Sequence, residues 1–491
     1  MLGILGRMQR TCQGWSRRRL LQVGGAGLFG MSLPTLLSAE EAGISHEPRA
    51  RSVIFLLLFG GPSQLETFDM KPEAADTIRG PFQPIGSRTP GLRICEHLPL
   101  TADVSDRFAV VKTLSHDFND HSGGGHYIQT GHRWHLPIGG GFNVTPNDWP
   151  AMGSVVDYLA QQTEPAAPRM LRSSRGADIT SFTPNYAVLP NSLGRIQEYN
   201  LQLRRPGETA GWLGRRFDPL TTKIDKRDKD DNPYWRNCAD DELTFQIQGM
   251  QSDEVLTLKR LDRRRSLLTQ FDDARAALSD AAAATYGQFQ QRALSLVTSP
   301  QTREALDVTR EPAAVRDRYG RHLFGQSVMT ARRLIEAGTR FVTVHYDCVD
   351  GYSWDSHVNS TDVKNRLLPT LDQALSALLL DLESRGLLDE TLVVCLGEMG
   401  RTPKANKDWG RGHWSTLFPA VLAGAGIRGG TVHGETDADA AYAVTPPHSP
   451  EDLAATIYHA LGINPETRVP GRDGRPTAIV EEGEAIQELR G

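Results

Sequence analysis

Two unbroken apolar runs, each stopped by glycine and followed by residues that carry chemistry, constrain this chain more than anything else in it. Val53-Ile54-Phe55-Leu56-Leu57-Leu58-Phe59 ends at Gly60-Gly61-Pro62, and Leu392-Val393-Val394-Cys395-Leu396 ends at Gly397-Glu398-Met399-Gly400-Arg401-Thr402. A continuous apolar run bounded by turn residues reads as a strand buried on both faces, the habit of strands in a helix-covered parallel sheet. Phe108-Ala109-Val110-Val111, Arg340 to His345 and Ala420-Val421-Leu422-Ala423 repeat the pattern. Helical signals lie between them. Leu367, Leu368, Leu371, Leu375, Leu378 and Leu379 keep three- and four-residue spacing within 361–385. Residues 252–297 are rich in Leu, Ala, Arg and Gln at helical spacing, 313–337 also reads as helical, and 147–160 reads as a helix start capped near Asn147 or Asp148. Ser449-Pro450-Glu451-Asp452 opens a last helix through Leu461, with Ser449 as cap and Pro450 in the first turn. Strands alternating with helices predict an α/β fold built on a doubly wound, mostly parallel central sheet.

The chain ends of those strands matter because open α/β sheets bind ligands outside the carboxyl ends of their strands. Glu398 stands at such an end beside Gly400, placed to hold a cation or act as a base; the bland alternative is an ion pair with Arg401. Trp354-Asp355-Ser356-His357 follows the strand at 340–345, and His413 lies between Gly412 and Trp414. Hard oxygen ligands mixed with imidazole suit a divalent cation such as Zn, Mn, Mg or Ca, so Asp355, His357, Glu398 and His413 are predicted metal ligands. The segment 116–126 gathers His116, Asp117, Asp120, His121, Ser122 and His126 around three glycines. It is a polar, Gly-rich segment whose glycines permit close backbone approach and whose N–H groups can cradle an anion. Ser122 is the candidate nucleophile, with His121, Asp120 and His126 as catalytic partners, although His121 and Asp120 equally suit a metal. His345, Asp347 and Asp350 are weaker candidates on the approach to Asp355.

The N-terminus reads as a targeting segment. Ser16-Arg17-Arg18-Arg19-Leu20-Leu21 is a twin-arginine signature, followed by a weakly apolar stretch and by Leu37-Ser38-Ala39, suited to cleavage. Residues 1–39 are therefore expected to direct export to the periplasm or beyond, leaving 40–491 as one domain with a loop-rich insertion at about 165–250. Residues 1–39 hold five arginines and no acidic residue, so the remainder carries −10 against −5 for the whole chain. An acidic protein of this kind is not expected to bind nucleic acid nonspecifically. No later stretch is long and apolar enough to stay in a membrane after cleavage. Five cysteines with no CxxC pair argue against a zinc knuckle, and a Cys95–Cys238 disulfide is one option in an oxidising compartment.

Gly60-Gly61-Pro62-Ser63-Gln64-Leu65-Glu66-Thr67-Phe68-Asp69, Arg79-Gly80-Pro81-Phe82, Asn119-Asp120-His121-Ser122, Arg316-Asp317-Arg318-Tyr319-Gly320, Trp354-Asp355-Ser356-His357 and Gly397-Glu398-Met399-Gly400-Arg401-Thr402-Pro403 resemble the DUF1501 family of exported bacterial proteins. That family is similar, more distantly, to the sulfatase and alkaline phosphatase superfamily, which implies a sheet of that type and one or two divalent metals at its strand ends. The resemblance aligns 60–69 with the superfamily's first ligand group and His121 to Thr130-Gly131 with its nucleophile segment. Asp355 and His357 match its middle pair, Glu398-Met399-Gly400 its Asp-His-Gly, and His413 its late histidine. Three departures stand out. Phe59 and Gly60 replace the strand-one aspartate, leaving Ser63 or Asp69 as substitutes. Met399 replaces a histidine ligand, which favours one metal over two. The Cys-x-Pro-Ser-Arg motif is missing, which argues against a formylglycine sulfatase.

The resemblance implies an exported metal-dependent hydrolase of phosphate or sulfate esters on a small molecule or a polysaccharide. Arg401, Lys404 and Ser63 would bind the anionic group, and the 165–250 insertion, with Trp212 and Trp235, would wall the pocket. The competing expectation is a non-catalytic glycan- or surface-binding protein that keeps the fold and one structural metal. An isomerase or transferase of phosphosugars conflicts with export.

Overall fold

The computed structural model describes residues 48–138, 141, 144–163, 169–172, 178–181, 183–192, 205–224, 231–247, 299–346 and 354–491. The expected targeting segment, the helices at 252–297, Asp347 and Asp350 lie outside them.

Nine strands form the central sheet: β1 (Ser52–Leu57), β2 (Phe108–Leu114), β3 (Tyr186–Ser192), β4 (Leu220–Lys223), β5 (Gln246–Ile247), β6 (Phe341–His345), β7 (Thr391–Leu396), β8 (Phe418–Ala423) and β9 (Thr431–His433). Their order is β9-β2-β8-β7-β1-β6-β3-β4-β5. β1 lies at the centre, parallel to β6 on one side and β7 on the other, with Phe55 opposite Thr343 and Val394. Every residue of β1 and β7 is buried, as their unbroken apolar runs require. The sheet is mostly parallel; β8 runs antiparallel to β7 and β2, and β5 antiparallel to β4. No helix lies between β7 and β8, and a parallel return would need such a crossover.

Side chains alternate between two helical layers. Ile54, Leu56 and Leu58 join the core formed with α3 (Ala313–Tyr319), α4 (Leu323–Glu336) and α5 (Leu368–Ser384). Val53, Phe55, Leu57 and Phe59 face α1 (His121–Thr130), α2 (Met152–Thr163) and α6 (Pro450–Ala460). α6 starts as its sequence demands, with a Ser449/Asp452 capping box and Pro450 in the first turn. The helix expected at 313–337 is broken at Gly320 into α3 and α4. Asp148 does not cap α2; it accepts hydrogen bonds from Trp134 Nε1 and Thr145 in the preceding loop.

Two sequence expectations change, and one segment gains an element: the Gly-rich segment after β2 is a helix, α1. Its glycines serve close approach: a Cβ on Gly123 would lie 2.2 Å from the Phe118 ring, and one on Gly125 3.1 Å from Phe59. The stretch 165–250 supplies β3, β4 and β5, so it builds one flank of the sheet as well as loops. Cys95 and Cys238 are buried free thiols with no bond between them, and burial pushes the Cys95 thiol up to about 12. Among the described residues no helix is long and apolar enough to cross a membrane.

Candidate metal centre

The loops after the carboxyl ends of β1, β2, β6 and β7 meet in one crevice. β1 hands over to Gly60 and Gly61, which both take positive φ. At Gly61 this is obligatory, because a Cβ would stand 2.7 Å from the Met399 carbonyl oxygen. β2 leads through His116 into α1, capped by Asp120, which accepts from the Gly123 N–H at 2.6 Å. Gly400–Arg401 and His413–Trp414 pair as a short antiparallel ribbon, which sets Arg401 opposite His413.

Four side chains converge here. His121, Asp355, His357 and His413 each offer one ligand atom, all within 4.8 Å of one another. The focus is Asp355 Oδ1, with His357 Nε2 at 3.0 Å, His121 Nε2 at 3.1 Å and His413 Nε2 at 3.3 Å. His357 Nε2 and His413 Nε2 are 3.0 Å apart. A tetrahedral zinc centre with bonds of about 2.0–2.1 Å sets ligand atoms about 3.3 Å from one another. The observed spacing is close to that. His121 Nε2 is buried and makes no aligned hydrogen bond, although Asp355 Oδ1 is near. An orphaned imidazole nitrogen aimed at a carboxylate and two further imidazoles is what a metal would satisfy. Three imidazoles with one carboxylate fit zinc better than calcium or magnesium, which prefer oxygen.

The groups behind these four fix their protons. His121 Nδ1 lies 2.5 Å from Glu398 Oε1, and a carboxylate only accepts, so Nδ1 carries a hydrogen and the neutral ring presents its lone pair at Nε2. His413 Nδ1 faces the Asn119 carbonyl oxygen at 3.2 Å, with the same consequence. Glu398 is fully buried, and both its oxygens accept from the Gly60 N–H, at 2.9 and 3.0 Å. His116 holds the same residue from the other side, donating from Nε2 to the Glu398 carbonyl oxygen at 2.7 Å. Arg401 is buried and donates to Asp355 Oδ1 at 2.5 Å, to the Gly61 carbonyl at 2.9 Å and to the Gly60 carbonyl.

Burial opposes charge on His121, but the adjoining Asp355 and Glu398 carboxylates outweigh it and raise the imidazole to about 9. Burial also works against a charged Asp355, yet the adjoining His121 and His413 imidazoles, aided by Arg401, hold it far below the usual carboxylate range. His357 sits below its ordinary value, burial outweighing the pull of Asp355.

Set against the sequence reading, the structure brings Asp355, His357 and His413 together and adds His121 to them. It places Glu398 one layer deeper, behind His121. Asp120 caps α1, and the Ser122 hydroxyl donates to Asp120 Oδ1 at 3.2 Å. His126 is five residues beyond His121, about 140° around the helix. It is buried against the His132 carbonyl at 3.1 Å, and burial drives it down to about 3. Arg401 is enclosed beneath Asp355, Lys404 is exposed, and Ser63 is buried with no hydrogen-bond partner for its hydroxyl. His345 is fully buried, its Nε2 3.2 Å from Glu208.

Two positioning residues escape sequence reasoning. Arg411 is buried and donates to Glu66 at 2.9 Å and to the Ile78 carbonyl at 2.8 Å, while its own N–H donates to the Ser356 carbonyl at 3.0 Å. Asn406 donates to the His357 carbonyl at 2.9 Å. Both tie the Asp355–His357 loop to the crevice wall. The signal was the Gly-Arg-Gly setting of Arg411, since glycines on both sides let a buried guanidinium reach several carbonyls.

The chain matches the family model described as "Protein of unknown function (DUF1501)" over residues 50–490, and it belongs to that family. No curated protein matches it. Solved structures similar to it include sulfatases and alkaline phosphatase superfamily members. The PsFucS1 sulfatase from Pseudoalteromonas sp. is 12% identical, with 91% of this chain and 72% of that one covered at a TM-score of 0.33. The lipoteichoic acid synthase LtaP from Listeria monocytogenes is 9% identical, with 92% and 80% covered at 0.32. A protein in the alkaline phosphatase superfamily from Vibrio parahaemolyticus is 10% identical, with 89% and 72% covered at 0.31. Likenesses this distant say nothing of chemistry.

Proposed function

We propose that this member of the DUF1501 family is an exported, zinc-dependent hydrolase of phosphate or sulfate esters. One observation carries the reading: three imidazole nitrogens and Asp355 Oδ1 converge at 3.0–3.3 Å where the central strands end. Zinc held there would supply Lewis-acid polarisation of the ester oxygen.

The chain's own residues then have defined tasks. Glu398 and the Asn119 carbonyl orient His121 and His413, so that their Nε2 lone pairs face inward. Arg401 holds Asp355 and keeps it ionised. His357, 47% exposed at its side chain, marks the open mouth. Charge makes the ion a condition of substrate binding. Asp355 and Glu398 together carry two negative charges against one from Arg401, so the site with neutral histidines repels an anionic ester until a divalent ion reverses its sign. In the ion-free protein the raised His121 takes a proton instead, and that proton must leave when metal binds. The Ser122 hydroxyl is committed to Asp120, so the attacking group in this reading is water. Export follows from the twin-arginine signature, and the substrate is a small-molecule or polysaccharide ester.

The test is zinc content and turnover of aryl phosphate and aryl sulfate esters, wild type beside Asp355→Ala/His357→Ala. Stoichiometric zinc and hydrolysis that vanish together in the variant support the reading. Zinc without turnover on either ester or on sulfated and phosphorylated glycans favours a binding protein, and hydrolysis that survives loss of the metal overturns the reading.

A further inference from the structure

We propose a second divalent-metal site, separate from the crevice, formed by His433, His448 and Glu488. The three come from different parts of the chain: His433 ends edge strand β9, His448 precedes the cap of α6, and Glu488 lies in the single turn Gln487–Leu489. One ligand atom from each falls within 4.8 Å of the others. His433 Nε2 and His448 Nε2 are 2.8 Å apart. The site shares no residue with the first cluster.

The backbone under each ligand is held in place. His448 is bridged to the end of β2, its N–H donating to the Thr113 carbonyl and its carbonyl accepting from the Ser115 N–H, both at 2.9 Å. Leu489, next to Glu488, is buried, and its carbonyl accepts from the Arg428 N–H at 2.8 Å. Strand β9 is registered on β2, His433 opposite Val111. The far nitrogen of His448 faces Asp452 Oδ2 at 3.6 Å, and that carboxylate is fixed by the N–H groups of Ser449 at 2.9 Å and Glu484 at 2.8 Å. A carboxylate behind an imidazole sets the tautomer that leaves the other nitrogen free to ligate.

Two imidazoles and a carboxylate with open solvent as the fourth partner suit zinc, with nickel and copper as the other borderline ions. The two nitrogens must part by about half an ångström to reach tetrahedral spacing, a small rotation for partly buried side chains at a sheet edge. The ion's role is a clip: it joins the edge strand, the start of α6 and the 487–489 turn, and so stabilises the folded chain in proportion to its occupancy.

The test is equilibrium dialysis of the purified full chain against zinc alone, followed by elemental analysis and thermal melts. Wild type is compared with His433→Ala/His448→Ala, Glu488→Gln and His357→Ala/His413→Ala. The expected result is one zinc equivalent lost in His433→Ala/His448→Ala, and about tenfold or weaker binding of that equivalent in Glu488→Gln. The His357→Ala/His413→Ala protein keeps this equivalent and still melts higher with zinc. Should the double variant fail to fold, the exposed Glu488→Gln decides alone. Zinc uptake unchanged in both His433→Ala/His448→Ala and Glu488→Gln overturns the site, whatever happens at the crevice. Zinc lost only with His433 and His448 supports this site and counts against the first.

Discussion

Glu398→Gln isolates what a buried carboxylate does for the crevice without changing its size. Glu398 is wholly enclosed, and its two oxygens take the Gly60 N–H and the His121 Nδ1 hydrogen. A glutamine has one oxygen and one NH2: with its oxygen in the Oε1 position it keeps both donors, but its NH2 then lies where Oε2 accepted from the Gly60 N–H, a buried donor facing a donor. An unsatisfied buried donor costs about 1–3 kcal/mol, and a charge-assisted bond weakened to a neutral one adds about 1. The expected loss of stability is about 2–4 kcal/mol in the metal-free protein. His121 would also lose the carboxylate that directs its Nε2 lone pair inward, and such partners are worth about 10–100-fold in metal affinity, or about 1.4–2.7 kcal/mol. Urea melts give the first number and competition titration with a zinc chelator the second. A merely structural role would lower stability and leave the affinity of the folded protein alone. Zinc affinity within twofold of wild type would refute the reasoning.

Four further outcomes are expected. His116, His132 and His322 are pushed down by burial to about 4, and His126 to about 3. Each stays neutral when folded but protonates near 6.5 when unfolded. Stability therefore falls as pH drops below 6.5, by about 1.4 kcal/mol per histidine at pH 5.5, and equal urea midpoints at pH 7.5 and 5.5 would contradict this. Gly123→Ala gains about 1 kcal/mol of helix propensity but drives its methyl into Phe118, at about 1–3 kcal/mol, and tilts the turn that carries His121. A lower melting temperature with weaker zinc binding is expected. Arg401→Lys loses the fork that spans Asp355 and the Gly60 and Gly61 carbonyls and should lose about 2–4 kcal/mol by chemical denaturation. Ser122→Ala should keep turnover within about threefold if water attacks; a loss of about a thousandfold would make Ser122 the nucleophile.

The central strands are legible in the sequence because burial on both faces leaves no alternation to misread, as in Val53–Phe59 and Leu392–Leu396. The α6 start is legible because Ser449, Pro450 and Asp452 act through neighbouring backbone alone. Where the reading changes, the cause is tertiary. Gly123, Gly124 and Gly125 give no helical signal by local propensity, yet Phe118, Glu398 and Phe59 crowd that surface and only glycines let the helix approach. β4 and β5 are too short to show a period of their own. Glu398 and His121 exchange depth because spacing tells that a carboxylate stands at a strand end, but not that the Gly60 N–H will turn back to bind it. Arg401 reads as an anion receptor from its place beside the site, and only the fold shows it enclosed beneath Asp355.

X-ray absorption on zinc-loaded protein, with His433→Ala/His448→Ala removing the second site, tests the central claim most directly. The account expects one zinc bound by nitrogen and oxygen at about 2.0–2.1 Å, with scattering from three imidazoles, and no bound zinc once His357→Ala/His413→Ala is added. No zinc uptake in that background, or a spectrum unchanged when His357 and His413 are removed, would contradict it.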